Sequence, residues 1–325
     1  MHIPLRPLAL AGLLLGLCPA VHAQGADAYP TRPVRILVAF PPGGPIDLTA
    51  RIMGEKLSEY WKHPVVVENR PGASGVIAAE AAMQAPADGY TLLFSVIHHT
   101  VLPSLKSKLP YDIEKDFTHI SLAATYPIIL VVGLSRPYRS VKDLIDAAAR
   151  QPGELAYGHS GYGGGAHLAG ELFGMQAGVD LRNVPYKGNG PALADVIGGH
   201  IPLMFSDAPT ALPQVTAGKV RALAISTPRR SELLPDVPTF VEAGLPDYKP
   251  DSWGGVSVRA GTPQPVVDKL NADVVRALKD SGVRARLLKI GAEPQPMSAI
   301  RYTEMIHTEI AKWGEVVRKA NIQIE

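Results

Sequence analysis

The chain has 325 residues, 46% of them hydrophobic, with 32 basic against 30 acidic side chains and a formal net charge of +2. A nearly neutral chain without basic runs is not built for nucleic acid or an anionic membrane surface. Its single cysteine excludes a disulfide framework and cysteine-based metal sites. The length fits about two domains. Many of its 30 prolines stand in turns, where they stiffen loops.

Residues 1–23 read as a secretory signal: a weakly basic start (His2, Arg6), an apolar stretch from Leu8 to Leu17, and Val21-His22-Ala23 as cleavage site. Its apolar core is too short to span a membrane stably. Leu17 stands before Cys18 where a lipid-anchor site wants a small residue, so cleavage after Ala23 is expected, removing the only cysteine. The expected product is exported to the periplasm.

Five times a short β-type run then breaks into a turn of small or Gly/Pro residues that opens a helix-type stretch. Val34–Phe40 runs into Pro41-Pro42-Gly43-Gly44-Pro45, and Val65–Glu68 into a turn ending at Ser74-Gly75. Leu155–Tyr157 leads to Gly158 through Gly165, Val184–Tyr186 to Lys187-Gly188-Asn189-Gly190, and Ile201–Phe205 to Ser206-Asp207-Ala208-Pro209. Such turns leave backbone N–H groups facing open space with the positive end of a helix dipole behind them, a surface for a small anion. Ile128–Val132 and Val220–Ile225 supply further strands.

Helices fill the gaps. Ser140 and Asp143 cap Val141–Arg150, and Thr239 with Glu242 forms a capping box expected to start a short helix ending at Gly244. Helical spacing recurs in Val267, Leu270, Val274 and Leu278, and again in Ile306, Ile310, Trp313 and Val317. The alternation implies an α/β fold with largely parallel sheets, whose ligands sit beyond the carboxyl ends of the strands.

Catalytic patterns fall short. Gly161 to Ala166 satisfies a dinucleotide fingerprint, but Asp180 precedes the second strand instead of ending it. The nucleophile elbow fails by one residue at both Ser160 and Ser74. No Walker lysine follows any turn, and no metal-binding His-Glu-x-x-His occurs; His98-His99 is a metal hint only. No enzyme, metal or cofactor is implied.

Phe40-x-x-Gly43-Gly44-x-x-Asp47, Val66-Val67-Glu68-Asn69-Arg70-Pro71-Gly72-Ala73 and Asp88-Gly89-Tyr90-Thr91-Leu92-Leu93 resemble the Bug-type substrate-binding proteins of tripartite tricarboxylate transporters. So do Val184-Pro185-Tyr186-Lys187-Gly188, Gly218-Lys219 through Ala224, Pro235-Asp236-Val237-Pro238-Thr239 and Ala260-Gly261-Thr262-Pro263, in order from Tyr29 nearly to the end. The resemblance implies a two-lobed type II periplasmic binding protein, each lobe a mostly parallel sheet flanked by helices. It implies a monomer that holds a small carboxylate (a di- or tricarboxylate, aromatic acid or acidic amino acid) and hands it to membrane permease subunits. Lobe one is expected at residues 24–124 plus 253–325 and lobe two at 125–252, with crossings near Tyr126 and Trp253.

The same resemblance implies a site. Phe40, Pro42, Gly43 and Gly44 form the first loop, which Asp47 orders or caps; Ser74 and Ser95 reach the cleft as hydroxyls. Ser160, Gly161, Tyr162, Gly163 and Gly164 form the cradle of lobe two, with His167 at the helix start behind it. Two departures bear on specificity. Ser206-Asp207 stands where the family shows Asp-Asn, so Asp207 either caps a helix or faces the cleft, requiring there an amine on the ligand or a neutralising neighbour such as Lys187. The neutralised case is preferred, because amino acids are a minority of the family's ligands. His98-His99 replaces small or amide residues and reads as an exposed loop, a carboxylate donor, or an edge against an aromatic ring. The competing readings are a secreted α/β hydrolase using Ser160 or Ser74 and a receptor that signals instead of feeding a permease.

Overall fold

In the computed structural model, which describes residues 29–319 and residue 322, strands and helices alternate through most of the chain. Residues 1–23, read above as a secretory signal, and with them Cys18, lie outside the described residues. Strand β1 (Val34–Val38) runs between β2 (Val65–Asn69) and β3 (Thr91–Val96), all parallel. Helices α1 (Pro45–Trp61), α2 (Val76–Gln84) and α3 (Ile97–Leu105) follow these strands in turn. Further along, β5 (Ala156–His159) lies between β6 (Arg182–Pro185) and β7 (Leu203–Asp207), again parallel. They feed α5 (Gly165–Ala177), α6 (Asn189–Ile197) and α7 (Ala208–Thr216). These two parallel units are the cores of two lobes.

Two strands join them. The 17-residue β4 (Phe117–Gly133) pairs along its first part with β9 (Asp251–Arg259) and along its second with β7 and β8 (Val220–Ile225). All these pairings, and that of β9 with β3, are antiparallel. The lobes are therefore parallel at their outer strands and antiparallel where they meet, which the expectation of largely parallel sheets did not include. The reason is connectivity: a strand that leaves one sheet for the other cannot be followed by a right-handed crossover helix back onto its own sheet. A continuous apolar run, Ile128 to Val132, suits β4 to burial on both faces.

Helix α4 (Val141–Arg150) begins as its sequence dictates: Asp143 N donates to Ser140 Oγ at 3.1 Å, and Ser140 N donates to Asp143 Oδ2 at 3.0 Å. Thr239 and Glu242 make the same reciprocal pair, yet the segment is a turn and not the expected short helix. One helical bond forms, from Ala243 N to Thr239 O, but Gly244 (φ +94) then closes the turn, with Gly244 N on Val241 O and Leu245 N on Phe240 O, so no helical ladder propagates. Helices α8 (Gln264–Lys279), α9 (Ser281–Lys289) and α10 (Ala299–Lys319) close the molecule, with the two-residue β10 (Glu293–Pro294) against β4. No helix among the described residues is long and apolar enough to cross a membrane.

Each lobe has its own apolar core, one around Ile36, Leu92, Phe94 and Val256, the other around Leu130, Tyr157, Phe205 and Tyr248. A third cluster joins Ile97, Val101, Trp253, Tyr302 and Trp313 to Leu168 of α5, so packing is continuous between the lobes. Its close approach depends on Gly254 and Gly255 in β9. A Cβ on Gly255 would lie 2.3 Å from Tyr302 Oη and 2.7 Å from Ser121 O. Since Tyr302 Oη is fixed by Ser95 Oγ at 2.9 Å, and Ser121 O is backbone, neither can yield freely. Gly255→Ala is expected to cost about 1–3 kcal/mol by overpacking, read as a lowered denaturant midpoint; an unchanged midpoint would mean that α10 is free to shift away.

Candidate functional site

A cleft of about 170 Å³ lies where the lobes meet. One wall is the first glycine turn, Phe40 to Ile46, together with Val96, Ile97 and His98 at the start of α3. The other is Ser160, the turn Lys187 to Pro191, and Asp207; Ser252 and Trp253 of the crossing strand complete it. Four helices thus begin at its wall, α1 and α3 from one lobe, α6 and α7 from the other. Helix first turns have N–H groups without intrahelical acceptors, and each partly buried terminus favours an anion by roughly 0.3–2 kcal/mol. Much of the rest of the wall is apolar (Phe40, Pro41, Ile46, Ile97, Trp253), and among the described residues Lys187, exposed at the rim, is its only cationic side chain. The surface suits a small molecule with an acidic head and a carbon body.

The first loop is held from behind. Asp47 does not line the cleft: its Oδ2 accepts from Gly43 N at 2.9 Å, and the carboxylate also takes Arg51 and Asn69. Burial opposes its ionisation, but hydrogen bonds from Arg51, the Gly43 N–H and Asn69 outweigh that and hold the carboxyl below its ordinary value. Gly43 itself has φ +84, a conformation glycine adopts without strain.

Of the residues proposed from sequence, Phe40, Pro42, Gly43, Gly44, His98, Ser160 and Asp207 come together at the cleft. Ser95 does not reach it. Its hydroxyl is fully buried between Ser257 Oγ at 3.0 Å and Tyr302 Oη, because the alternation of β3 turns Val96 to the cleft and Ser95 away. Ser74 stands in a left-handed turn (φ 56) and packs against the opposite lobe, outside the cleft lining.

Most of the expected cradle of lobe two also faces the other lobe instead of the cleft. A Cβ on Gly161 would lie 3.0 Å from Ser74 Oγ, on Gly163 3.3 Å from Val101, and on Gly164 2.4 Å from His98 Nε2. Only Ser160 of this loop lines the cleft. His167 is buried behind it, its Nδ1 accepting from Gly163 N at 3.3 Å and its ring 4.7 Å from His159; Tyr162 leans on both rings.

His98 and His99 form no exposed loop; both are buried in the first turn of α3. His99 Nδ1 accepts from Val96 N, capping the helix, while His98 lies against Phe40 with ring centroids 4.8 Å apart. Neither ring nitrogen of His98 has a partner. Burial pushes His98 down to about 3, with His99 and His159 adding to it, and His159 to about 4, so these rings are neutral at neutral pH. Asp207, also buried, pairs with Asn189 and not with Lys187. Burial pushes its carboxyl up to about 6 against hydrogen bonds from Asn189 and Ser252.

The sequence reading missed the second wall, Gly188 to Pro191, although its strand-turn-helix pattern was visible, and also Ser252 and Trp253, which it read as a crossing only. No group of three or more metal-ligating side chains occurs among the described residues. No histidine among them hydrogen bonds to Ser160 or Ser74.

Two lobes, crossing strands and an anion-favouring cleft between them define a solute-binding protein of the periplasmic type. The chain belongs to the tripartite tricarboxylate transporter receptor family, whose sequence profile matches residues 49–322. It is 34% identical to protein BugT of Bordetella pertussis over 98% of this chain and 99% of that one. An R. palustris protein solved with adipate shares 38% identity and a TM-score of 0.87, over 91% of this chain and 99% of that one. MatC from Rhodopseudomonas palustris, solved with bound malate, shares 34% identity and a TM-score of 0.83, over 89% of this chain and all of that one. The fold is that of the two-lobed type II periplasmic binding proteins, and the family consists of receptors, not enzymes.

Two outcomes test this geometry. Gly164→Ala brings no backbone strain (φ −82) but sets a methyl against His98 and the Ser160 hydroxyl. It is expected to hold the lobes apart and weaken ligand binding about tenfold or more, with melting nearly unchanged; full-strength binding would show that the contact yields. The second concerns acid. Histidines whose folded value lies below the ordinary ~6.5 contribute stability that is present above ~6.5 and lost as pH falls through the folded value. The unfolding free energy should therefore decline from about pH 6.5 toward pH 4, with a shallower decline in His98→Gln. A flat profile over that window would place these rings in water.

Proposed function

We propose that this chain is an extracytoplasmic solute receptor, exported by its N-terminal signal, that binds a small carboxylate between its lobes and delivers it to the permease subunits of a tripartite tricarboxylate transporter. In this reading the lobes are 24–124 plus 253–325 and 125–252, and they close about the paired strands β4 and β9, where Thr125 faces Trp253 and Tyr126 faces Ser252. The observation that carries it is the convergence of four helix N-termini, two from each lobe, on one largely apolar cleft. Backbone N–H groups of Gly44 and Ile46 and of Asn189 and Gly190 receive the carboxylate, with Phe40, Pro42, Ile97 and Trp253 around its carbon body. Ser160 and His98 offer side-chain donors, and Lys187 draws the anion to the rim. The adipate and malate held by the two relatives support this ligand class.

A thermal-shift screen of small carboxylates on the mature chain tests the reading. A ligand that binds only the native state adds about 2.7 kcal/mol at a hundredfold excess over its dissociation constant. The ligand should be recovered chemically unchanged. Small-angle scattering should give a smaller radius of gyration with ligand than without, since neither lobe alone completes the site. If no carboxylate shifts the melt, or if the scattering curves coincide at saturation, the closing receptor is wrong.

A further inference from the structure

The Asp207 carboxyl ends β7 and occupies the N-cap position of α7, yet it accepts no hydrogen bond from that helix. Capping therefore does not explain it. One oxygen, Oδ2, takes Asn189 Nδ2 from the first residue of α6, and the Ser252 hydroxyl stands beside the carboxyl, while neither Asp207 Oδ1 nor Asn189 Oδ1, both buried, has a hydrogen-bond partner among the described residues. Both residues line the cleft. Among the described residues no cation pairs with Asp207, and Lys187 is exposed at the rim. Two acceptors without donors thus lie on a wall that otherwise favours anions. An unpaired buried acceptor is destabilising, and a ligand with acceptors only would leave Oδ1 facing like charge. A ligand with a donor removes both difficulties at once.

We propose that the cleft selects small carboxylates that also carry an O–H or N–H donor, and that Asp207 Oδ1 accepts from that donor; this rests on the receptor reading above. Asn189 is the positioning residue that turns the carboxyl so that Oδ1 is left for the ligand. A site with a buried acceptor built for a ligand donor rejects the analogue lacking it far more strongly than a site that differs by a methylene.

The test is titration calorimetry of the mature chain with acids matched on one skeleton: succinate, malate and aspartate; glutarate and glutamate; benzoate and meta-hydroxybenzoate. On the skeleton that binds, the donor-bearing acid should bind about tenfold or more tighter than the donor-free one, as expected for a hydrogen bond to a charged group. Asp207→Leu should bring the members to within about twofold, chiefly by weakening the donor-bearing acid; if that variant does not fold, Asp207→Ala is read the same way. Asp207→Asn separates the two donors, because its amide oxygen still accepts from a hydroxyl but no longer offers a charge to an ammonium. Equal or tighter binding of the donor-free acid, or a preference that survives Asp207→Leu, overturns this inference and leaves the receptor standing. Failure of every acid to bind overturns both.

Discussion

The pairing of β4 with β9 is the constraint on which the rest depends. It is the place where the chain passes between lobes, and its register fixes what the cleft is made of. With Thr125 opposite Trp253 and Tyr126 opposite Ser252, the same few residues bear the junction and the cleft. Trp253 is fully buried; its indole N–H donates to Glu309 of α10 at 3.1 Å, and its ring meets Tyr302 edge-on. Glycines 254 and 255 follow at once, because a strand pressed between Phe94 and Tyr302 has no space for side chains there. The junction is thus stiff in its packing, and a change of angle between the lobes has to be taken up along the two strands.

Around that junction the site uses backbone where many anion sites use arginine. Among the described residues no arginine lines the cleft. Helix termini cannot titrate, need no side-chain ordering, and can be brought close by glycine turns. The same turns serve a second purpose. Gly161, Gly163 and Gly164 touch Ser74, Val101 and His98 across the interface, so lobe two presents bare backbone where it meets lobe one. One glycine-rich segment therefore contributes Ser160 to the cleft and the remainder to the contact between lobes.

Much of this was legible in the sequence, and the parts that were not have physical reasons. The five strand-turn-helix units follow from local pattern and are present, with several strand ends shifted by one or two residues, and the cap at Ser140 and the β8 segment Val220–Ile225 appear as read. The antiparallel junction does not, since pairing partners more than a hundred residues apart leave no local trace. Thr239 with Glu242 shows the converse: the capping chemistry is present, but the left-handed Gly244 closes the segment after a single turn. Ser95 was misplaced because strand alternation decides which of two neighbours faces the cleft, and a continuous apolar run hides that phase. The cradle was misread because a glycine turn that binds an anion and one that admits a neighbouring lobe look alike in sequence.

Several unpartnered buried polar groups stand at the cleft or directly behind it. Among the described residues His98 has no hydrogen-bond partner on either ring nitrogen, His159 and His167 lack one on Nε2, and Asp207 and Asn189 each lack one on Oδ1. Stability alone would favour apolar replacements of similar shape at such positions. The histidines and the carboxyl are also of opposite use: neutral rings can either donate or accept, whereas an ionised carboxyl only accepts. In the proposed receptor, helix termini on both walls fix where an acidic head sits, and they do so for any acid. Discrimination among acids must then come from groups that are neither apolar nor part of that field. In this chain Asp207 and His98, on opposite walls, are the groups with that character.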